Sequence, residues 1–463
     1  MHSSRRPASD SFVPATRFAW LAGVLTTAAQ PSRLAVGFVV ALCLWIPGLA
    51  WDAAVGPRID PPGLLAEPWD DVEQDDAQRT LRRIAAQLLP ELTFEGARIP
   101  ADDLAVALEA RVQELRGDPE AARYEGAAAR ARSLAPLGTF EALASAHSAA
   151  VAAMVDGALA LSPSQVSDGV RAVVWTIPVA AWARDPVFTG FYALWGALVC
   201  AVGLGALARM EATQIAGRTR VGAGEAFGFA ADRWASLVLA WGGPLLVAAL
   251  LGGVCVAFGA LFRTSLFSGV AAVLYIVPLA IGAVAGLALL VGALGAPLAP
   301  AAVAADGLDA ADASQRGAIY FLARPLLWIL VAVATVGVVV VGTVLLRIVG
   351  WALTAFPAAM VSIGSAGRAP VESLAVSPAP WSIPHGGAAN AIWWWVLLVG
   401  MLVFGASISL LGGALTRAYL LLRACCDDQP VDEVWPFELP ADITDAPADA
   451  ATPAAAPGSA AAP

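Results

Sequence analysis

Long apolar runs dominate this sequence and constrain what it can fold into. Six stretches approach or exceed the length of about 20 apolar residues with which a helix crosses a bilayer core of roughly 30 Å. They cover residues 34–51, 188–208, 235–262, 268–303, 325–346 and 391–416. In lipid, an α-helix forms all the hydrogen bonds that its backbone N–H and C=O groups require. The sequence therefore predicts an all-α, polytopic membrane protein with about six transmembrane helices.

Composition supports the same fold class. Of the 463 residues, 59% are apolar and 14% are charged, whereas soluble domains have roughly 45–50% and 25%. The net charge of −10 comes from acids in the loop that follows the first run and in the C-terminal tail. The charge thus describes the aqueous parts of the chain alone.

The segments between the runs give the domain organisation. We expect an N-terminal segment with an interfacial helix (1–33), a first span (34–51), a helical loop region (52–187), and a core of the second to fifth spans (188–350). An interfacial loop (351–390), the sixth span (391–416) and an acidic, Ala- and Pro-rich disordered tail (417–463) complete the chain.

Spacing within these segments predicts further elements. Apolar residues at helical intervals predict loop helices over 75–89, 102–115 and 139–161. Two pieces interrupted by proline, 173–182 and 348–363, are too short to cross, so we expect them at the membrane interface. The fourth run exceeds one straight span; it is either a tilted helix with a proline-broken end or a span followed by a re-entrant piece.

Arginine placement predicts the orientation, because short cytoplasmic loops are enriched in Lys and Arg. In a six-span bundle one side carries most of the loop arginines: Arg5, Arg6, Arg17, Arg33, Arg209, Arg218, Arg220, Arg233, Arg316, Arg324, Arg417 and Arg423. The other side has Arg263, Arg347 and Arg368. Both termini are therefore expected in the cytoplasm, with residues 52–187 outside the cytoplasmic (inner) membrane.

The sixth run carries a boundary signal at each end. Trp393, Trp394 and Trp395 precede it, and tryptophan favours the headgroup region. About 22 residues, or roughly 33 Å of helix, separate this run from Arg417. The tryptophans should mark the extracytoplasmic boundary and Arg417 the cytoplasmic one.

The sequence contains no motif with a known catalytic mechanism, so we expect no enzyme activity, cofactor, metal or nucleic acid. His2, His147 and His385 are interpreted as surface or interface residues. Asp306, Asp309 and Asp312 would share one helical face. Carboxylates in that arrangement could bind a divalent cation. We favour the other interpretation, in which they cap the start of a helix and Asp312 forms an ion pair with Arg316, four residues later.

Ionisable residues are missing from the interior of all six runs, which disfavours an ion-coupled carrier. Small residues suited to close helix packing occur there instead. The leading hypothesis is a non-enzymatic scaffold or component of an envelope assembly. The alternative is a permease or channel for an uncharged or lipid-like solute. Partners would be the lipid bilayer and either another membrane protein or further copies of this chain.

Two arginine-bearing segments resemble parts of a known group of membrane proteins. Residues 211–218 (EATQIAGR), 224–227 and 233–234 form one; residues 306–310, with Arg316, Tyr320 and Arg324-Pro325, form the other. Together they resemble a family of bacterial multi-pass inner-membrane proteins of the planctomycete type, of unknown function, over about residues 135–350. The resemblance implies no activity to transfer. We expect these segments to contact each other, anionic lipid or a partner through Arg218, Arg220, Arg233, Arg316 and Arg324.

The orientation can be checked with reporter fusions. A fluorescent protein that matures only in the cytoplasm should fluoresce at either terminus and stay dark when inserted at Asp118, where a periplasmic phosphatase should be active. A dark C-terminal fusion would contradict the arginine count.

Overall fold

The structure is a computed structural model that describes residues 15–61, 63–90, 98–115, 118–217, 221–263, 265–364 and 387–435. These residues are helical, without a β-strand; one isolated bridge joins Ile59 and Leu137. The all-α, polytopic fold is confirmed. Arg5, Arg6, His2, Arg218, Arg220, Arg368, His385 and most of the tail lie outside the described residues.

Within the part of the chain that the structure describes, seven helices are long and apolar enough to cross a membrane. They are α3 (Pro31–Val55), α7 (Thr139–Leu159), α10 (Pro186–Ile215), α12 (Trp234–Gly259), α14 (Ile276–Gly295), α17 (Pro325–Gly364) and α18 (Gly387–Cys426). Six of them correspond to the six predicted runs, although α12 ends before the run 235–262 does and α14 holds only the middle part of the run 268–303. The additional one, α7, was expected as a loop helix, because its hydropathy is the lowest of the seven.

Shorter helices connect these seven. They are α1 (Ala15–Leu21), α2 (Val24–Thr27), α4 (Asp71–Leu88), α5 (Ala101–Glu114), α6 (Ala121–Arg132), α8 (Pro163–Arg171), α9 (Ile177–Arg184), α11 (Ala223–Asp232), α13 (Ser265–Val273), α15 (Ala299–Asp306) and α16 (Ala310–Ala323). A π-helical turn, Ala172–Thr176, joins α8 to α9.

The structure differs locally from the expectations. The run 268–303 is three helices, α13, α14 and α15; the break around Pro297 was expected, whereas the break between Val273 and Ile276, shortly before Pro278, was not. Residues 348–363 are not a separate piece, because α17 continues through them with Pro357 inside the helix. The N-terminal helices α1 and α2 pack against the bundle through the buried Leu21 and Val24; their expected place at the membrane interface stays a prediction.

Glycines bring α3, α10 and α18 into close contact. The backbones of Gly37 and Gly405 touch where α3 crosses α18, and Gly203 of α10 packs on Val40 of α3. We call the end of this core where α3 ends and α10 begins the loop end, and the opposite end, where α10 and α18 end, the terminal end.

The loop region contains a helical unit with its own core. Helices α4, α5 and α6, here called the loop unit, bury Leu81, Leu104 and Leu108 against one another. A capping box between Asp70 and Glu73 begins α4. The sequence predicted α4 and α5, but α6 was missed, because its alanine-rich sequence lacks a clear apolar face.

A second helical hairpin follows the loop unit. Helix α7 begins at the loop end, where Asp52 of α3 accepts hydrogen bonds from the backbone N–H groups of Phe140 and Glu141. The chain turns after Leu159 and returns through α8, the π-helical turn and α9. It reaches the loop end again at Asp185, whose carboxylate caps α10 by accepting from the N–H of Phe188.

The close approach of α3 and α18 can be tested with alanine. Gly37→Ala would place Cβ against the Gly405 backbone, so we expect a loss of about 1–3 kcal/mol of unfolding free energy. The matched control is Gly282→Ala on α14, where a Cβ meets open space; it should keep or gain up to about 1 kcal/mol. Reversible unfolding in mixed micelles measures both, and equal effects would contradict the packing.

Candidate functional site

A buried carboxylate lies at the terminal end of the core. Glu211 of α10 is fully buried. It pairs with the Arg33 guanidinium of α3 and, at 2.5 Å, with Nε of Arg417 of α18. Both arginines are themselves buried. Because an unpaired buried charge is costly, the three side chains hold α3, α10 and α18 in one relative arrangement. We call Arg33, Glu211 and Arg417 the buried triad.

Further polar groups complete the triad. The Thr27 hydroxyl donates to Glu211 at 3.1 Å, and Arg33 donates to the Gln214 side chain at 2.8 Å. Arg417 donates to the Trp20 carbonyl at 2.7 Å and lies over the Trp20 ring. The N-terminal helices are thus joined to the same charged group.

A second buried group lies at Asp306, the last residue of α15. Its carboxylate accepts from Tyr419 and Arg423, both on α18. Arg423 also donates to the carbonyls of Pro430 and Glu433, at 2.8 and 2.6 Å. These bonds fold residues 427–435 back over the terminal end. We call this segment the C-terminal clasp.

The clasp ends in an aromatic and arginine cluster. The backbone N–H of Trp435 donates to the Ala305 carbonyl at 2.6 Å, and the Arg209 guanidinium donates to the Trp435 carbonyl at 2.5 Å. Arg233 lies 4.8 Å from the centre of the Trp435 ring, a cation–π arrangement. Gly307, at a φ of +67°, leaves room for that ring.

Asp427 joins the clasp to α16. Its carboxylate accepts from the Tyr320 hydroxyl at 2.7 Å and pairs with Arg316 at 3.2 Å. Burial, followed by the hydrogen bond to Asp427, raises the pKa of Tyr320. The phenol therefore remains a donor to the carboxylate at physiological pH.

Three of the five predicted contact arginines can be placed. Arg233 donates to the Gly307 carbonyl at 2.9 Å, so the two arginine-bearing segments do contact each other. Arg316 pairs with Asp427, whereas Arg324 is exposed. Arg218 and Arg220 lie outside the described residues. Contact of these arginines with lipid or a partner remains a prediction.

The aspartate series is not one helical face. Gly307 interrupts the helix, so Asp306 ends α15 and Asp309 caps α16 by accepting from the Asp312 N–H at 2.9 Å. Capping at Asp309 was predicted, but Arg316 pairs with Asp427 and not with Asp312. The residues that the structure describes hold no group of three metal-ligating side chains.

Sequence reasoning missed the buried triad. Arg33 and Arg417 were used as loop arginines for the orientation, and Glu211 was quoted only within a motif. One signal was available: α10 runs past residue 208 without a proline or glycine break, which keeps Glu211 on a continuous helix.

Removing the central carboxylate tests the triad. Glu211→Gln leaves two buried guanidinium groups without their counter-charge, so we expect a loss of about 3–5 kcal/mol of unfolding free energy. The control is Glu225→Gln on α11, where the side chain is exposed; a change within about 0.5 kcal/mol is expected. Equal values for the two variants would show that the ion pairs do not stabilise the bundle.

Comparison with known proteins adds no relative. No protein-family model matches the chain, and neither a curated protein nor a solved structure matches it. The resemblance to the planctomycete-type family therefore stays a prediction.

Proposed function

We propose that this chain is a non-enzymatic membrane scaffold or a component of an envelope assembly. The buried triad is the observation that carries this proposal. Transporters alternate access by rocking one group of helices against another. Such motion between α3, α10 and α18 would separate buried ion pairs, at a cost of about 3–5 kcal/mol for each uncompensated charge. A fixed frame suits a scaffold better.

The loop unit gives such a scaffold a surface for a partner. Its apolar residues form a core separate from that of the spans. Its outer face carries exposed charges, including the Asp76–Arg79 and Arg111–Glu114 pairs. Charged, exposed helices on a membrane frame fit recognition of a soluble or envelope protein through polar contacts.

One cavity favours the second candidate, a permease or channel for an uncharged or lipid-like solute. A groove of about 400 Å³ lies between α3, α10, α11 and α12 and presents only apolar surface. Cys43, Val202, Phe227 and Trp234 are among its lining residues. This volume is in the range of small-molecule sites, and its lining would accept an alkyl chain.

Location belongs to the same proposal. The arginine distribution supports insertion in the bacterial inner membrane with both termini in the cytoplasm. In that orientation the clasp faces the cytoplasm and the loop unit faces the envelope space, where an assembly partner would meet it.

A reversible disulfide between α17 and α18 distinguishes the scaffold from the permease. An ideal Cβ at Gly350 of α17 lies 4.0 Å from the Cβ of Val403 of α18, within the range for a disulfide. Gly350→Cys with Val403→Cys should cross-link under oxidation. The readout is rescue of a deletion strain's lipid and envelope composition, with each single cysteine as a matched control.

A scaffold should rescue equally whether the bond is oxidised or reduced. Rescue that is lost on oxidation and returns on reduction, with the single variants unaffected, would favour the permease and contradict the scaffold. A deletion strain with unchanged lipid and envelope composition would contradict both.

A further inference from the structure

An ion pair lies far from either end of α17. Arg347 follows 22 residues of α17 and precedes 17 more, and neither stretch contains another charge. Its guanidinium is 3.4 Å from the carboxylate of Asp156 on α7. Charged side chains within transmembrane helices are rare and usually mark a functional site.

Packing against α18 places this pair level with the middle of the stretch between Trp393 and Arg417. Gly342 of α17 packs on Leu410, and Gly350 packs on Val403. Both partners lie in the central part of the stretch from Trp393 to Arg417. Arg347, between the two glycines, therefore lies at about half the depth of that span.

The hairpin that carries Asp156 enters from the loop end. Phe140, at the start of α7, touches Gly48 near the end of α3. Sixteen residues, or about 24 Å of helix, separate Phe140 from Asp156. The return leg ends at Asp185 beside Arg58, again at the loop end. Both ends of the hairpin thus lie on one side.

The return leg has an apolar outer face close to the loop end. Val174, Trp175, Val179 and Trp182 are exposed there, at 49–69% of their surface. Exposed apolar residues on the neighbouring α10, among them Phe191 and Leu194, extend this face. Lipid suits such a surface, so this part of the hairpin lies in the bilayer.

The tip of the hairpin combines a polar helix, α8, with two exposed leucines at the turn itself, Leu159 and Leu161. Exposed side chains of α8 include Ser164, Gln165, Ser167, Asp168 and Arg171. Gly157 packs on Gln165, which keeps this polar helix beside Asp156. The ion pair itself is open, with 40% of the Arg347 and 69% of the Asp156 side chain exposed. Polar groups at this depth require protein or water around them.

We propose that α7 to α9 form a re-entrant hairpin whose polar helix α8 lines a water-filled vestibule open to the loop side. The vestibule admits water and small hydrophilic solutes as far as the Asp156–Arg347 pair. Entry is from the loop side, because the buried triad and the C-terminal clasp close the terminal end of the core. The inference does not depend on the scaffold proposal.

Thiol accessibility tests the vestibule. Ser167→Cys reports on the tip, Val174→Cys on the apolar face of the same hairpin, and Asp118→Cys on the loop in water. Each variant keeps its native cysteines, and modification by a charged, membrane-impermeant methanethiosulfonate is quantified by peptide mass spectrometry. Because a thiol reacts as the hydrated thiolate, position 167 should react within about tenfold of position 118 and at least about 100-fold faster than position 174.

Membranes of defined orientation test the side of entry. Reagent added from the loop side should modify position 167, and reagent added from the side of the termini should not. Modification from the terminal side alone would overturn the proposal. Equal reaction at 174 and 167 would place the hairpin in bulk water. An inert position 167, covered by lipid or by a second copy, would overturn it as well.

A charge exchange gives an independent readout. Asp156→Arg alone puts two like charges together at the tip, and we expect the amount of folded protein in the membrane to fall several-fold. Adding Arg347→Asp should restore that amount and the reactivity of Ser167→Cys. Restored folding with an unreactive position 167 would show that the pair is structural and not hydrated.

Discussion

The contact between Glu211 and two arginines fixes the arrangement on which the bundle depends. A single carboxylate joins α3, α10 and α18, three helices that are far apart in the sequence. Arginine stays protonated in proteins, so the carboxylate faces two permanent cations. Trp20, Thr27 and Gln214 add further hydrogen bonds to the triad. The N-terminal helices and the glycine contact between α3 and α18 are consistent with this one geometry.

Hydropathy predicted the spans because it measures a local property. Four of the six runs lie within single long helices. The run 235–262 continues from α12 into a 3₁₀ turn, and the run 268–303 overlaps three helices. Hydropathy does not report which helix a proline will break. Pro357 lies inside α17, whereas breaks occur beside Pro278 and Pro297. A proline is tolerated where neighbouring groups satisfy the freed carbonyl, and that depends on packing that the sequence does not display.

The polar contacts were predicted less well, because they join distant segments. Capping at Asp309 depends on residues three positions apart and was found. Arg316 was assigned to Asp312, four residues away, but pairs with Asp427, which the clasp brings to α16. Arg33 and Arg417 were counted as loop arginines, although both are buried. The positive-inside rule depends on arginine number near span ends, so burial of these side chains leaves the orientation as it was while changing their role.

Charge occurs in two environments in this molecule, and the difference separates structural from candidate functional groups. Every charge in the buried triad is paired and sealed from solvent, which is the arrangement that a static frame requires. The Asp156–Arg347 pair is also matched in charge, but both side chains remain open. A sealed pair is stable through its protein contacts alone. An open pair within a span is stable only if water or a further protein group reaches it. The conformation of the hairpin around that pair therefore depends on the surrounding water or protein. The packing around Glu211 depends only on contacts within the chain.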